Sequence, residues 1–194
     1  MKALYFIAIL PPKEVAESIH EVRLDFALKY KSEEALKPPV HLTLKEPFTM
    51  DVKEELILKR KLNFIATQNQ PFLQKLKGFG RYQKHAIYIK SDEDNYLTEL
   101  KKGIQKLFKS VFYYVQQDQM PFSPHYSIAY RDVGSRAFDQ AFAHYENQVF
   151  LAQFNCTQFC LLKYDGKQWN NIQTYGLSGA PNMTLFDMVG KLVY

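Results

Sequence analysis

Cysteine is scarce in this chain of 194 residues, which contains only Cys156 and Cys160. Two thiols cannot staple a disulfide scaffold, and both sit in the strand-like run FNCTQFCLL. Four positions apart in a strand, they would point to one side yet lie too far apart to bridge comfortably, so buried free thiols are expected. Long apolar runs are also missing. The opening block ALYFIAIL, Ala3 to Leu10, falls well short of the roughly 18 apolar residues that span a bilayer. Its tyrosine, the lack of a small-residue cleavage site and the periodic helix behind it argue for a buried first strand and a cytoplasmic protein, not a signal peptide. No Gly/Ser linker or low-complexity tract divides the chain. No histidine has a second histidine or an acid at zinc-ligand spacing, so no metal is expected. GFGR, Gly78 to Arg81, lacks the third glycine and the strand-to-helix setting of a phosphate loop, and reads as a hairpin turn.

What is present is the composition of a soluble globular chain: 46% hydrophobic, 15% aromatic and 23% charged, with a formal net charge of +5. The length suits one domain or two small lobes, and the mild positive charge favours an anionic partner such as a nucleotide or RNA. After the first strand, Pro11 and Pro12 prepare a helix from about Lys13 with the apolar stripe Val15, Ile19, Val22, Phe26 and Tyr30, ending by Lys37. DVKEELILKRKLNFIATQNQPF reads as a second helix with Leu56, Leu58, Leu62 and Ile65 inward. A strand, the glycine-bounded turn and a strand over Ala86 to Lys90 follow. From Asn95 to Phe108 a third helix carries Tyr96, Leu100, Ile104, Leu107 and Phe108, with the lysines of KKGIQK, Lys101 to Lys106, on its wet face. A fourth helix around Arg136 to Asn147 precedes two strands, in VFLAQFNCTQFCLLKYD and WNNIQTYGL. The tail 178–194, with Leu185, Phe186, Met188, Leu192 and Val193, is expected to pack back on the body.

Two segments carry chemistry. In PPVHLTLKEPF, alternation puts His41 and Thr43 on one face and Leu42 and Leu44 on the other. In SPHYSI, His125 and Ser127 share a face opposite Tyr126 and Ile128. Each segment closes a strand–helix–strand unit, and the intervals from Leu4 to His41 and from Ile87 to His125 are nearly equal, which is the mark of an internal repeat. If the two halves face each other, two imidazoles and two hydroxyls meet in one cleft. Imidazoles titrate near neutrality and can act as acid and base together, as cleavage of a phosphodiester requires. Thr43 and Ser127, each about 7 Å along the strand from its histidine, could donate hydrogen bonds to non-bridging phosphate oxygens.

The paired tetrads HLTL and HYSI resemble the signature of the two-histidine (2H) phosphoesterase superfamily, which includes LigT-like bacterial 2'-5' RNA ligases and cyclic phosphodiesterases. LYFIAILPPKEVAESI is similar to that family's opening strand and helix, and HLTLKEPF to its first motif; the resemblance covers roughly Lys2 to Leu177. It implies an α+β, bilobal, pseudo-two-fold fold: two mostly antiparallel sheets face a central groove, helices lie outside, and 1–194 form one domain of two intertwined lobes. It also implies metal-independent, cofactor-free chemistry on 2',3'-cyclic phosphates or 2'-5' linkages of RNA ends or nucleotides, by a monomer. His41 and His125 match the catalytic pair, and Thr43 and Ser127 the phosphate-binding hydroxyls. The reverse reaction, 2'-5' RNA ligation, and a non-catalytic nucleotide-binding role are the alternatives. Two departures stand out. The second tetrad has Ser where Thr is common, and the basic residue often found five positions past the second histidine is here Tyr130, with Arg131 next to it. Both are candidate substrate contacts, although parity puts Tyr130 opposite His125 unless a bulge intervenes. Tyr5 or Phe6 on the first strand, Tyr88 and Tyr130 are the aromatic residues expected near the site. His20, His85 and His144 read as structural or solvated.

Overall fold

The two tetrads lie on edge strands of two different sheets, and the order of elements explains how. The computed structural model describes residues 1–118 and 121–179. Its elements are β1 (Lys2–Ile9), α1 (Lys13–Tyr30), β2 (Leu42–Asp51), α2 (Glu55–Thr67), β3 (Phe72–Tyr82), β4 (Ala86–Ser91), α3 (Asn95–Ser110), β5 (His125–Tyr130), α4 (Ser135–Tyr145), β6 (Leu151–Cys156), β7 (Gln158–Tyr164) and β8 (Trp169–Gly176). One sheet has the order β2-β1-β7-β8 and the other β5-β4-β3-β6, with antiparallel pairing throughout. The repeat is therefore spatial as well as sequential: β1–α1–β2 and β4–α3–β5 each place the histidine strand at an edge, beside the strand that opens its unit. The helices are exchanged, for α1 packs on β5 and α3 on β2. The expected α+β bilobal architecture is the observed one.

Local chemistry sets the helix ends. α1 follows Pro12 in an extended conformation, has Glu14 in its first turn and Lys29 in its last, and stops where Lys31 turns left-handed and donates its N–H to Ala27 O. Its core face is Ile19, Arg23 and Phe26, so an arginine occupies a place in the apolar stripe. Leu42, Leu44, Tyr126 and Ile128 anchor the two histidine strands in the main core together with Leu58, Leu62, Leu100, Ile104 and Phe108. The opposite face of the first sheet carries a smaller cluster of Phe6, Ala8, Cys160 and Leu162, bordered by Leu10 and Trp169.

Several expectations are corrected. The hairpin between β3 and β4 turns at 83–85, where Gln83 has a φ of 46°, and not at the glycines. Gly78, at φ 63°, forms a bulge inside β3, and Gly80 lies where an added Cβ would sit 2.6 Å from Tyr88 Cε2. The run expected to hold one strand before β8 holds two, because the chain passes from one sheet to the other at Thr157. Cys156 and Cys160 thus do not share a side: the first lies in the main core and the second in the smaller cluster. Both are buried free thiols, and burial pushes the Cys156 thiol up to about 12. In α2 Leu56 is exposed and Ala66 joins Leu58 and Leu62 inside, while in α3 Leu97 takes the buried place expected of Tyr96. The tail from residue 180 onward lies outside the described residues. Ser178 and Gly179 donate their N–H groups to Ala66 O and Asn69 O at the end of α2.

The largest departure concerns two lysines. Ile7 pairs with Lys45 and Ala8 with Thr43, so Leu44 is an extra residue and Lys45 is turned into the core. There its ammonium lies 2.6 Å from Asp118 Oδ1 and 2.8 Å from Gln116 O. Lys101, expected on a wet face, is buried as well; it donates to Asp118 Oδ2 and, at 2.7 Å, to Leu44 O. Burial alone would push the Asp118 carboxyl up, but the hydrogen bonds from Lys101 and Lys45 outweigh it and hold the group below its ordinary value. The network ties the chain leading to β5 onto β2 and α3. Because the folded value is depressed, its stabilisation is complete above the ordinary carboxylate range and is lost as pH falls through the folded value. Asp118→Asn, which leaves two buried ammonium groups facing an amide, should cost roughly 3–5 kcal/mol, read as a lower urea midpoint at unchanged slope.

Candidate active site

Each tetrad histidine is held in the same way. His41 Nδ1 lies 2.7 Å from Pro39 O, and His125 Nδ1 lies 2.6 Å from Ser123 O. A carbonyl only accepts, so Nδ1 carries the proton in each neutral ring and Nε2 keeps its lone pair. Among the described residues, no protein group hydrogen-bonds either Nε2. The rings are also braced by aromatic residues of the neighbouring strands. Phe6 of β1 meets His41 with centroids 4.9 Å apart, and Tyr88 of β4 meets His125 at 4.6 Å. Gly80 serves the second contact, since its lack of a side chain lets the Tyr88 ring lie close over β3.

Thr43 and Ser127 lie half-buried beside their histidines, paired with Ala8 and Tyr88 respectively. Neither hydroxyl has a hydrogen-bond partner among the described residues, which leaves both available to a ligand. The two tetrads are brought together by α1. Arg23 donates from Nε to Ser127 O at 2.9 Å and from Nη1 to Pro38 O at 3.2 Å, spanning the strand of one tetrad and the approach to the other. Asp132, just past β5, accepts from Ser32 Oγ at 2.5 Å and from the N–H groups of Glu33 and Glu34 at 2.6 and 2.9 Å. It thereby ties the exit of the second tetrad to the segment that leads into the first.

Both imidazoles are shifted toward the neutral form. At His41, burial is the main cause; the Pro39 carbonyl opposes it, and the positive charges of Arg23 and His125 add to it, so that the group is pushed down to about 4 while part of the ring stays open to solvent. His125 is lowered by burial against the opposing Ser123 carbonyl. The two tetrad strands, β2 and β5, are themselves in contact.

Of the other expected residues, Tyr130 gains from a bulge. Ile87 pairs with Ala129 and Tyr88 with Ser127, so Ile128 is extra; Ile128 and Ala129 are both buried, and Tyr130 turns out on the side of His125 and Ser127. Arg131, left-handed at φ 67°, stacks its guanidinium 4.7 Å from the Tyr130 ring centroid. Tyr5 faces the core, with its hydroxyl on Glu55, and is no part of the site. His20, His85 and His144 lie exposed elsewhere. Sequence reasoning missed Arg23; its spacing from Ile19 and Phe26, a charge at an apolar-stripe position, was the available signal. From His41 a row of rings continues through Phe6 to Trp169, 4.5 Å away and edge-on, and on to Tyr164 at 5.3 Å. Among the described residues, no three His, Cys, Asp or Glu side chains are grouped to hold a metal ion, and no helix is long and apolar enough to cross a membrane.

Comparison with known proteins adds to this geometry. Residues 11–168 match the family described as the 2'-5' RNA ligase superfamily. A protein of Geobacillus kaustophilus named "Putative phosphoesterase GK0864" is 26% identical over 178 residues, covering 90% of this chain and 96% of its own length. A similarly named protein of Oceanobacillus iheyensis is 28% identical over 176 residues, covering 89% and 97%. Among solved structures, TT0787 of Thermus thermophilus superposes with a TM-score of 0.66 at 19% identity, over 91% of this chain and 98% of that one. E. coli LigT complexed with 3'-AMP gives 0.59 at 18%, over 92% and 99%. At these identities the structural matches speak for the fold. The site geometry makes its own claim: in an NMR titration of the ring Cε1–H signals, both His41 and His125 should have midpoints below 6.5, with His41 near 4. A midpoint at or above 6.5 for either ring would contradict the burial described.

Proposed function

This chain belongs to the 2'-5' RNA ligase superfamily, and on that premise we propose that it is a metal-independent phosphodiesterase acting on 2',3'-cyclic phosphates or 2'-5' linkages of nucleotides or RNA ends. The observation that carries the reading is the matched pair of imidazoles, each with Nδ1–H committed to a carbonyl and Nε2 left free. In hydrolysis of a cyclic phosphate, a water attacks phosphorus as the Nε2 of one ring takes its proton. The Nε2–H of the other ring protonates the departing ribose oxygen as its bond to phosphorus breaks. Thr43 and Ser127 donate to the non-bridging oxygens, whose charge grows as the fifth bond forms.

The poise of the two rings favours one assignment of roles. His41, the more strongly depressed, is the base, and His125 holds the proton and is the acid. A nucleoside on the phosphate would find the Trp169 and Tyr164 rings, beyond Phe6 in the row from His41, for stacking, with Tyr130 and Arg131 at the other tetrad. The nucleotides bound by E. coli LigT, 3'-AMP and ATP among them, support a ligand of this class. Presented with a 5'-hydroxyl instead of water, the same four groups would run the reverse reaction, 2'-5' ligation.

Two measurements test the proposal. With a 2',3'-cyclic nucleotide in EDTA, His41→Ala and His125→Ala should each lower kcat by about 10²–10⁴-fold; an unaltered rate in either variant refutes the pair. The active form has one ring neutral and the other charged, a state populated between their two free-protein values. The plot of kcat/KM against pH should therefore be a bell with its maximum between pH 4 and 6.5. A flat profile from about pH 5 to 9, or a maximum above about 7, would count against the histidine pair.

A further inference from the structure

On the reading of this groove as a phosphate site, we propose that Arg23 is its fixed positive charge, a positioning residue that locks both tetrads to α1 and whose counter-charge is the phosphate of the substrate. Arg23 is only 1% exposed, although a guanidinium stays charged throughout the ordinary pH range. Two of its nitrogens are spent on Ser127 O and Pro38 O, and Nη2 has no hydrogen-bond partner among the described residues. Among the described residues no carboxylate acts on the group; burial alone pushes it down to about 10, so it remains protonated at neutral pH. The contrast with the other repeat is instructive. Lys101 of α3 donates to Leu44 O on the opposite tetrad strand much as Arg23 of α1 donates to Ser127 O, but Lys101 also meets Asp118. Asp118 thus serves the two buried lysines, Lys45 and Lys101, whereas Arg23, which spans the two tetrad segments, meets no carboxylate among the described residues.

A buried ion without an opposite charge is costly, and proteins keep such arrangements where function needs them. An anionic phosphate bound by Thr43 and Ser127 would supply the charge, and the field of a guanidinium in a poorly solvated setting is stronger than one in water. The same field disfavours a proton on His41. The charged groups facing that ring are Arg23 from α1 and His125 from β5; Phe6 from β1 brings no charge, and Lys45 of its own strand is turned away onto Asp118.

The test uses the full chain with inorganic phosphate as the probe. Arg23→Met keeps much of the stem and removes the charge, and Arg23→Lys keeps the charge but cannot span both carbonyls. Arg23→Met should weaken phosphate binding about tenfold or more and raise the His41 NMR midpoint. Arg23→Lys should bind phosphate within about threefold of the parent, yet lose at least about tenfold in kcat with little change in KM. In the parent protein, the Arg23 Nε–H signal should be slow to exchange and should move when phosphate is added. A folded Arg23→Met protein with parental phosphate affinity and His41 midpoint overturns the inference. So does a parent Arg23 signal indifferent to phosphate, which decides the matter if neither variant folds. Phosphate binding and ring titration need no turnover: a chain inactive on cyclic nucleotides but reliant on Arg23 for phosphate would refute the proposed reaction and leave this role standing.

Discussion

The contact on which the site depends is an exchange. Each repeat sends its helix to the histidine strand of the other, and each helix seals that packing with a buried cation on a strand carbonyl: Arg23 on Ser127 O, Lys101 on Leu44 O. Backbone carbonyls of edge strands are the natural acceptors here, because the outer side of an edge strand has no partner to satisfy. An amphipathic helix with one long cation in its stripe covers the strand's apolar side and answers its carbonyl in the same step. Neither half can close its own core without the other, so the separation of the two tetrads follows from core packing and does not rest on loops.

On that frame, small irregularities aim the side chains. The bulge at Leu44 turns Lys45 inward while leaving His41 and Thr43 outward, and the bulge at Ile128 brings Tyr130 back to the side of His125. Glycine plays the same part on β3, where Gly80 leaves room for the Tyr88 ring that braces His125. The rings of Phe6 and Tyr88, from equivalent strands, do for the two imidazoles what second contacts do for a metal ligand: they restrict the ring plane while Nδ1–H is held by a carbonyl. What remains free is one nitrogen on each ring, and that is the atom acid–base chemistry uses.

The acid–base poise comes from the same burial. A bare imidazole would titrate near 6.5, but both rings are lowered by burial, and at His41 the positive charge of Arg23 adds to it. An anionic ligand would relieve much of that bias, so the free groove and the phosphate-bound groove differ in proton affinity as well as occupancy. On the proposed reading this would link recognition to chemistry, since an anion bound by Thr43 and Ser127 would also favour protons on the histidines.

The tetrads were legible in the chain because alternation is a local property: four residues decide that His41 shares a side with Thr43, and another four decide the same for His125 and Ser127. The doubled strand–helix–strand pattern was legible for the same reason, and with it the α+β class and the pairing of the halves. Arg23, Lys45, Lys101 and Asp118 were not, since a charged residue at a stripe position reads as a lapse in the stripe until its distant partner is known. Asp118 is separated from Lys45 by α2, β3, β4 and α3, and no spacing rule reaches that far. Parity also fails past a bulge, as Tyr130 shows, because an inserted residue reverses every later position and is set by cross-strand pairing. Residue order was thus sufficient for the pairing of His41 with Thr43 and of His125 with Ser127 on one face of each strand. Their convergence, the shared guanidinium behind them and the shift of both imidazoles toward neutrality arose only on folding, because burial and charge are properties of what surrounds a residue in space.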